Sequence, residues 1–297
     1  MRINKRLFYI AILASCAAPT WGDENLLGYT KGAETLPKGA KELDLWVTQR
    51  SGKGQAEYTA WDTQFEFEYG LTNSLTGSLY LKGMALDTSG LIIDGYLPEE
   101  NQFNWRASGV EAALMQMHIS PALNGFGLAT YYALSYDWID AHSGQDKNKY
   151  SLELKLLTQN FFADDQLVWL NNFIFEGTYA DRAAIPDLPP GIEWSTDPEM
   201  EIGLSYRTGL SYRIAPKWFI GAEIVYDTEF ETEVGQERWT VQAGPSVHYA
   251  QQKWWMTLTW LPQLRGGGEM YEGQTDTDLH LIEKTETEVR LKVGINF

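Results

Sequence analysis

The stretch Glu288-Val289-Arg290-Leu291-Lys292-Val293-Gly294-Ile295-Asn296-Phe297 ends the chain with a strict alternation. Val289, Leu291, Val293, Ile295 and Phe297 fall on one row, and Glu288, Arg290, Lys292, Gly294 and Asn296 on the other. Period two is the side-chain repeat of a β-strand, so this stretch has one apolar face and one polar face. A soluble sandwich hides such a face against a second sheet, whereas a transmembrane barrel turns it to lipid. The rest of the chain has to decide between them.

Working back from that end, similar stretches recur, each about the length of a tilted membrane strand of roughly ten residues. The first sets Leu43, Leu45 and Val47 against Glu42, Asp44, Trp46 and Thr48. Next, Thr59, Trp61, Thr63, Phe65, Phe67 and Tyr69 oppose Tyr58, Asp62, Gln64, Glu66 and Glu68, and Leu75, Leu79 and Leu81 oppose Thr76, Ser78, Tyr80 and Lys82. Paired stretches follow at 104–119 with 126–138, 149–162 with 167–179, 199–214 with 218–230 and 237–250 with 254–265. With the closing strand the total is about twelve, and an even number fits a single-chain bacterial barrel.

The connections alternate too. Those at 70–74, 120–125, 163–166, 215–217 and 251–253 are short, whereas 51–57, 88–103, 139–148, 180–198, 231–236 and 266–284 are mostly longer. Short periplasmic turns and long external loops give this alternation, and a sandwich has no reason for it. Aromatic residues at strand ends, among them Trp61, Tyr69, Trp138, Tyr179, Trp218, Trp239, Tyr249 and Trp254, suit the two membrane interfaces. The expected fold is all-β, a transmembrane antiparallel β-barrel of about twelve strands. Its closing strand resembles that of bacterial outer-membrane barrels. That resemblance implies that Val289, Leu291, Val293, Ile295 and Phe297 serve as the signal read by the barrel-insertion machinery.

Composition agrees. The 297 residues carry 12 Trp and 16 Tyr and a net charge of -17, which argues against nucleic acid as a partner. Beyond the N-terminus no apolar run approaches the roughly twenty residues of a membrane helix. The single Cys allows no intramolecular disulfide. At the N-terminus, Arg2, Lys5 and Arg6, the apolar run from Leu7 to Ala14, and the small residues Ala17, Ala18, Pro19, Thr20 and Gly22 form a secretory signal. Leu13-Ala14-Ser15-Cys16 matches a lipoprotein signal that leaves Cys16 lipidated, while Thr20 and Gly22 fit ordinary cleavage before Asp23. A barrel needs no lipid anchor, which favours the ordinary site. The expected organisation is a signal peptide at 1–22, an N-terminal periplasmic segment at 23–38 and an outer-membrane barrel at 39–297.

Glu24-Asn25-Leu26-Leu27-Gly28, the run from Gly32 to Gly39, Arg50-Ser51-Gly52-Lys53-Gly54-Gln55 and the run from Phe65 to Gly70 are similar to the opening of an uncharacterised family of outer-membrane barrel proteins. That family is related in style to channels beside degradation pathways. The resemblance implies location and fold, and brings no reaction with it.

If the apolar rows face lipid, the other rows face the lumen. They hold the acids Glu42, Asp44, Asp62, Glu66, Glu68, Glu111, Asp137, Glu153, Glu223, Asp227 and Glu288 and the bases Lys82, Lys155, Arg207, Arg213, Arg238, Arg290 and Lys292. Acid outnumbers base, so a water-filled lumen would concentrate cations, and the expected function is a porin-like passage for small solutes that prefers cations. The opposing expectation is a closed structural or surface-binding barrel, its interior filled by paired charges and its outer loops touching lipopolysaccharide, a ligand or a partner. An outer-membrane lipid hydrolase comes a distant third. His142 stands beside Ser143, on opposite faces if in a strand, and both fall within an expected external loop. Asp276-Thr277-Asp278 and Glu99-Glu100 are acidic loop residues without the spacing of a dedicated site, and Gly266-Gly267-Gly268 lacks the strand-to-helix context of a phosphate cradle. No metal, cofactor or catalytic residue is assigned. The expected partners are outer-membrane lipid, lipopolysaccharide, the insertion machinery and small solutes.

Overall fold

Twelve antiparallel strands close into a barrel in the computed structural model, which describes residues 25–54, 56–93, 97–185, 188, 190–191, 194–231 and 235–297. The signal peptide expected at 1–22, including Cys16, falls outside the described residues. In chain order the strands are β1 (Lys41–Ser51), β2 (Glu57–Thr72), β3 (Leu75–Ile93), β4 (Leu97–Ile119), β5 (Phe126–Ile139), β6 (Asp146–Phe162), β7 (Leu167–Arg182), β8 (Glu199–Ala215), β9 (Trp218–Glu231), β10 (Gly235–Ala250), β11 (Trp254–Gly268) and β12 (Thr287–Asn296). Each pairs with its sequence neighbours, and β12 returns to β1 with Leu43 opposite Ile295 and Thr48 opposite Arg290. Closure removes the free edges that would otherwise leave backbone N–H and C=O groups unpaired in lipid.

The apolar rows face outward. Leu79, Leu134, Phe173, Ile224, Trp260 and Phe297 are all about half exposed or more, as a wall bathed in acyl chains requires and a water-soluble sheet does not. Aromatic groups gather at the strand ends. Trp218 and Trp254 flank Tyr249 at ring distances of 4.6 and 5.3 Å beside the short turns, and Tyr136 stacks on Tyr150 at 4.8 Å towards the opposite end.

Two expectations change. The loop expected at 88–103 is largely strand, because β3 and β4 run on together beyond the length needed to cross the membrane. Register shifts at Lys82/Gly83, Met84/Leu86 and Thr88/Leu91 break the alternation there, since each extra residue moves the following side chains to the other face. The turn expected at 120–125 contains one helical turn, α1 (Pro121–Asn124), with Pro at its start and Gly125 closing it at φ 68°.

Candidate functional site

The lumen is occupied by the chain itself. The described residues 25–38 run along the inner wall of the barrel, bonded to its inward side chains, before turning into β1. This segment has no regular secondary structure, so its backbone polar groups need partners from the wall. Glu223, only 1% exposed, supplies most of them for one stretch. Its carboxylate accepts the backbone N–H of Gly28 at 2.9 Å, Tyr29 at 2.9 Å and Thr30 at 3.0 Å, together with the Thr30 hydroxyl at 3.0 Å. Further along, the Asn172 amide both accepts from the N–H of Lys31 and donates to its carbonyl, each at 2.8 Å. Gln159 accepts the Ala33 N–H at 2.9 Å, and the Thr76 hydroxyl accepts that of Leu36 at 2.9 Å. Carbonyls are met by Thr257, which donates to Asn25, by Arg290, which donates to Gly28, and by Arg207, which donates to Tyr29.

Side chains fix the segment's depth. Leu26 and Leu27 pack with Val168 and Leu170, flanked by Phe161 and Phe219. Leu27 fits because two wall positions are glycine. A Cβ on Gly221 would meet Leu27 Cδ2 at 2.7 Å, and one on Gly209 would overlap Leu27 Cδ1. The Tyr29 hydroxyl donates to Glu288 at 2.7 Å while the Arg290 guanidinium lies 3.8 Å from its ring centre. Lys31 reaches Glu68 at 3.3 Å.

The opposite end is closed by loops. Arg50 binds Asp62 through Nε at 2.6 Å and donates to the Ala141 carbonyl, and Tyr58 donates to the carbonyl of His142 at 2.9 Å, which draws residues 140–145 over the mouth. Lys53, fully buried, donates its ammonium to the carbonyls of Leu281, Ile282 and Lys284. Ile282 thereby joins an interior cluster with Tyr58, Met84, Leu86, Phe103 and Ile139. Glu283 binds Arg238 at 2.6 Å, and Lys284 binds Asp227 at 3.1 Å. Burial, followed by the charge of Arg50, holds the Lys53 ammonium down to about 7, and burial holds the His280 imidazole down to about 4. The Glu283 carboxyl lies well below the usual range because the Arg238 and His142 charges outweigh its burial.

Between the two closures remains a cavity of about 270 Å³. Trp46, Thr48 and Arg290 line it on the side of the N-terminal segment, and Asp140, His142 and Glu283 on the loop side. Its charges are mostly paired. Lys82 bridges Glu111 at 3.1 Å and Asp137 at 3.2 Å, Lys147 meets Asp140 at 3.4 Å and Glu199 at 3.5 Å, and Arg238 meets Glu229 at 2.8 Å. One oxygen each of Glu229, Glu237 and Glu283 lies within 4.8 Å of the others, but the Arg238 guanidinium already supplies the cation there. A larger hollow of about 660 Å³ lies at the lipid-facing wall, lined by Leu134, Leu152, Met200 and Ile202.

The residues singled out from the alternation divide into three groups. Glu42, Asp44, Glu66, Glu68, Glu223, Glu288 and Lys292 are buried against the interior. Asp62, Lys82, Asp137, Arg238 and Arg290 line the cavity, with Glu111 joined to its wall through Lys82, while Asp227 pairs with Lys284. Glu153 pairs with Lys155 at 2.8 Å, Arg207 holds the Tyr29 carbonyl, and Arg213 is half-buried beside the short turn after β8. In the loop at 140–145 the Ser143 hydroxyl donates to Asp140 at 3.0 Å. Lys53, Asn172 and Gln159 hold the outer loop and the N-terminal segment but are not picked out by alternation, since a loop lysine and two strand amides resemble any others until their partners are known.

Solved structures share this architecture. The COG4313 outer-membrane channel from Pseudomonas putida F1 matches with a TM-score of 0.61 at 12% identity, over 89% of this chain and 98% of that one. The β domain of the Bordetella autotransporter BrkA has a TM-score of 0.49 at 11% identity, covering 86% and 98%. The NanC porin has 0.46 at 14%, covering 85% and 98%. The likeness to the first of these, at 12% identity, is one of fold, that of an outer-membrane β-barrel. No curated protein matches the sequence. A model for a family of unknown function, DUF6662, matches residues 19–297, and the chain belongs to that family.

Proposed function

We propose that the protein is an outer-membrane channel for small solutes whose passage is closed by its own N-terminal segment, and that the opened passage prefers cations. The observation that carries this reading is the way residues 25–37 are held. Apart from Leu26, Leu27, Ala33 and Leu36, the segment is bound largely through hydrogen bonds to polar wall side chains, an attachment that water can replace when the segment leaves. A segment serving only as core would be held by apolar packing. Its departure uncovers Glu42, Asp44, Glu66, Glu68, Glu223 and Glu288 against Arg207, Arg290 and Lys292, an acidic stretch that attracts cations. Passage is by diffusion, without covalent chemistry. Insertion by recognition of Val289, Leu291, Val293, Ile295 and Phe297, and contact of the outer loops with lipopolysaccharide, belong to the same reading.

The double closure favours a second reading, a barrel that never conducts and acts through its loops. A reversal potential in a salt gradient, measured on protein lacking residues 25–37, separates the two. A cation-selective potential supports the channel, and a silent barrel that still shows heat-modifiable migration supports the closed reading.

A further inference from the structure

The inward row of β9 touches both closures. Glu223, near its middle, accepts from the backbone of residues 28–30, Glu229 near its outer end pairs with Arg238, and Asp227 stands between them on the same face. Asp227 is shared by two cations that belong to different closures. Lys284, in the loop between β11 and β12, donates to its Oδ2 at 3.1 Å. Arg207 on β8 brings Nη2 only to 4.0 Å from its Oδ1, too far for a hydrogen bond, while its Nη1 donates to the Tyr29 carbonyl at 3.3 Å and its Nε to the Ser205 hydroxyl at 3.2 Å. One carboxylate therefore joins the outer loop to the N-terminal segment, with Arg207 as the link. All three charged side chains are less than a quarter exposed, so water screens their interaction little.

A carboxylate is a stronger acceptor for a guanidinium than a peptide carbonyl is. While Lys284 is in place it takes up the charge of Asp227, and Arg207 is left to Tyr29. When the loop lifts, Lys284 goes with it. Asp227 then has Arg207 as its remaining cation, and closing the 4.0 Å gap draws the guanidinium away from a carbonyl bond that is already long. We propose that Asp227 couples the two closures, so that lifting of the outer loop loosens the seat of the N-terminal segment and the two ends open together. The coupling rests on the reading that residues 25–37 close the passage. It is reciprocal, so release of the segment favours lifting of the loop by the same factor. An Asp227 that merely propped Arg207 against the carbonyl would give the opposite sign, because loss of Lys284 would then tighten the seat.

Thiol labelling of Thr30→Cys, with Cys16 replaced, reads the seat in the refolded barrel whether or not the barrel conducts, so silence in a bilayer and failure of the coupling are separate results. K284M removes the competing cation at Asp227. K53M leaves Asp227 untouched and frees the loop at the carbonyls of Leu281, Ile282 and Lys284. Each should speed labelling roughly five- to tenfold over the Thr30→Cys parent, and neither should speed it once D227N is present. Labelling that is unchanged or slower in K284M overturns the coupling. So does an acceleration that persists with D227N, since that reads reagent entering past an opened loop. Where K284M fails to show heat-modifiable migration, K53M with and without D227N decides on the same terms.

Discussion

Replacing Glu223 by glutamine tests how the N-terminal segment is held. The carboxylate accepts four hydrogen bonds from the segment, one on Oε1 from Gly28 and three on Oε2 from Tyr29 and Thr30, while Ser246 at 3.1 Å and Thr259 at 3.3 Å complete Oε1. Glutamine keeps an acceptor for Tyr29 and Thr30, and turns its amide nitrogen towards Gly28, where a donor then faces a donor. In the Thr30→Cys background of the assay one bond is lost and two lose their charge assistance. With charge-assisted bonds worth about 1.5–3 kcal/mol and neutral ones about 1 kcal/mol, the seated segment loses at least roughly 3 kcal/mol. That is about a hundredfold in the equilibrium between seated and released states. The assay is thiol labelling of Thr30→Cys in a background with Cys16 replaced. Thr30 is fully buried when the segment is seated, so the labelling rate follows its release. E223Q should speed labelling by about two orders of magnitude relative to the Thr30→Cys parent at unchanged barrel stability. A rate within threefold of the parent would refute the claim that Glu223 holds the segment.

Other expectations follow from the same contacts. Leu27→Ala empties a fully buried apolar position and should weaken seating by about 2–4 kcal/mol. G221A, whose new methyl group would collide with Leu27 and with the Leu210 carbonyl, should release the segment comparably, and both are read by the same labelling assay. In the outer closure, the folded-state values of Lys53 and His280 lie below their ordinary ones, so the open state binds more protons and closure strengthens as pH rises. For Lys53 that gain accrues from about 7 up to the ordinary lysine range, and from pH 7 to 9 it amounts to at most about 3 kcal/mol. For His280 it accrues from about 4 to the ordinary histidine range. Closed-state dwell times should therefore lengthen between pH 7 and 9, and K53M should flatten that dependence; an unchanged slope in K53M would assign it elsewhere. Neutralising Glu66 and Glu68 in the protein lacking residues 25–37 should reduce cation selectivity, whereas D62N should act mainly on the outer closure, because Asp62 is bound to Arg50.

The barrel was legible because membrane strands repeat a simple constraint. Phe65 and Phe67 must face lipid and Glu66 and Glu68 must not, and every strand restates this at period two. The alternation faded where bulges change phase, as at Met117/Ile119, which is why β4 read poorly. The occupied lumen was not legible. Residues 25–38 have no periodicity, and the side chains that hold them, Thr76, Gln159, Asn172 and Glu223, lie 40 to 195 positions further along the chain. Likewise, nothing in the sequence of Lys53 marks it as the anchor of a loop more than 220 residues away.

The central claim is that residues 25–37 close a passage that otherwise conducts. It is tested most directly by single-channel recording of the intact barrel beside one lacking that segment, in the same planar bilayer. The account predicts small or rare openings for the intact protein and larger cation-selective steps for the shortened one, interrupted by closures of the outer loops. Equal conductance in both, or silence in both while each remains a folded barrel, would contradict it.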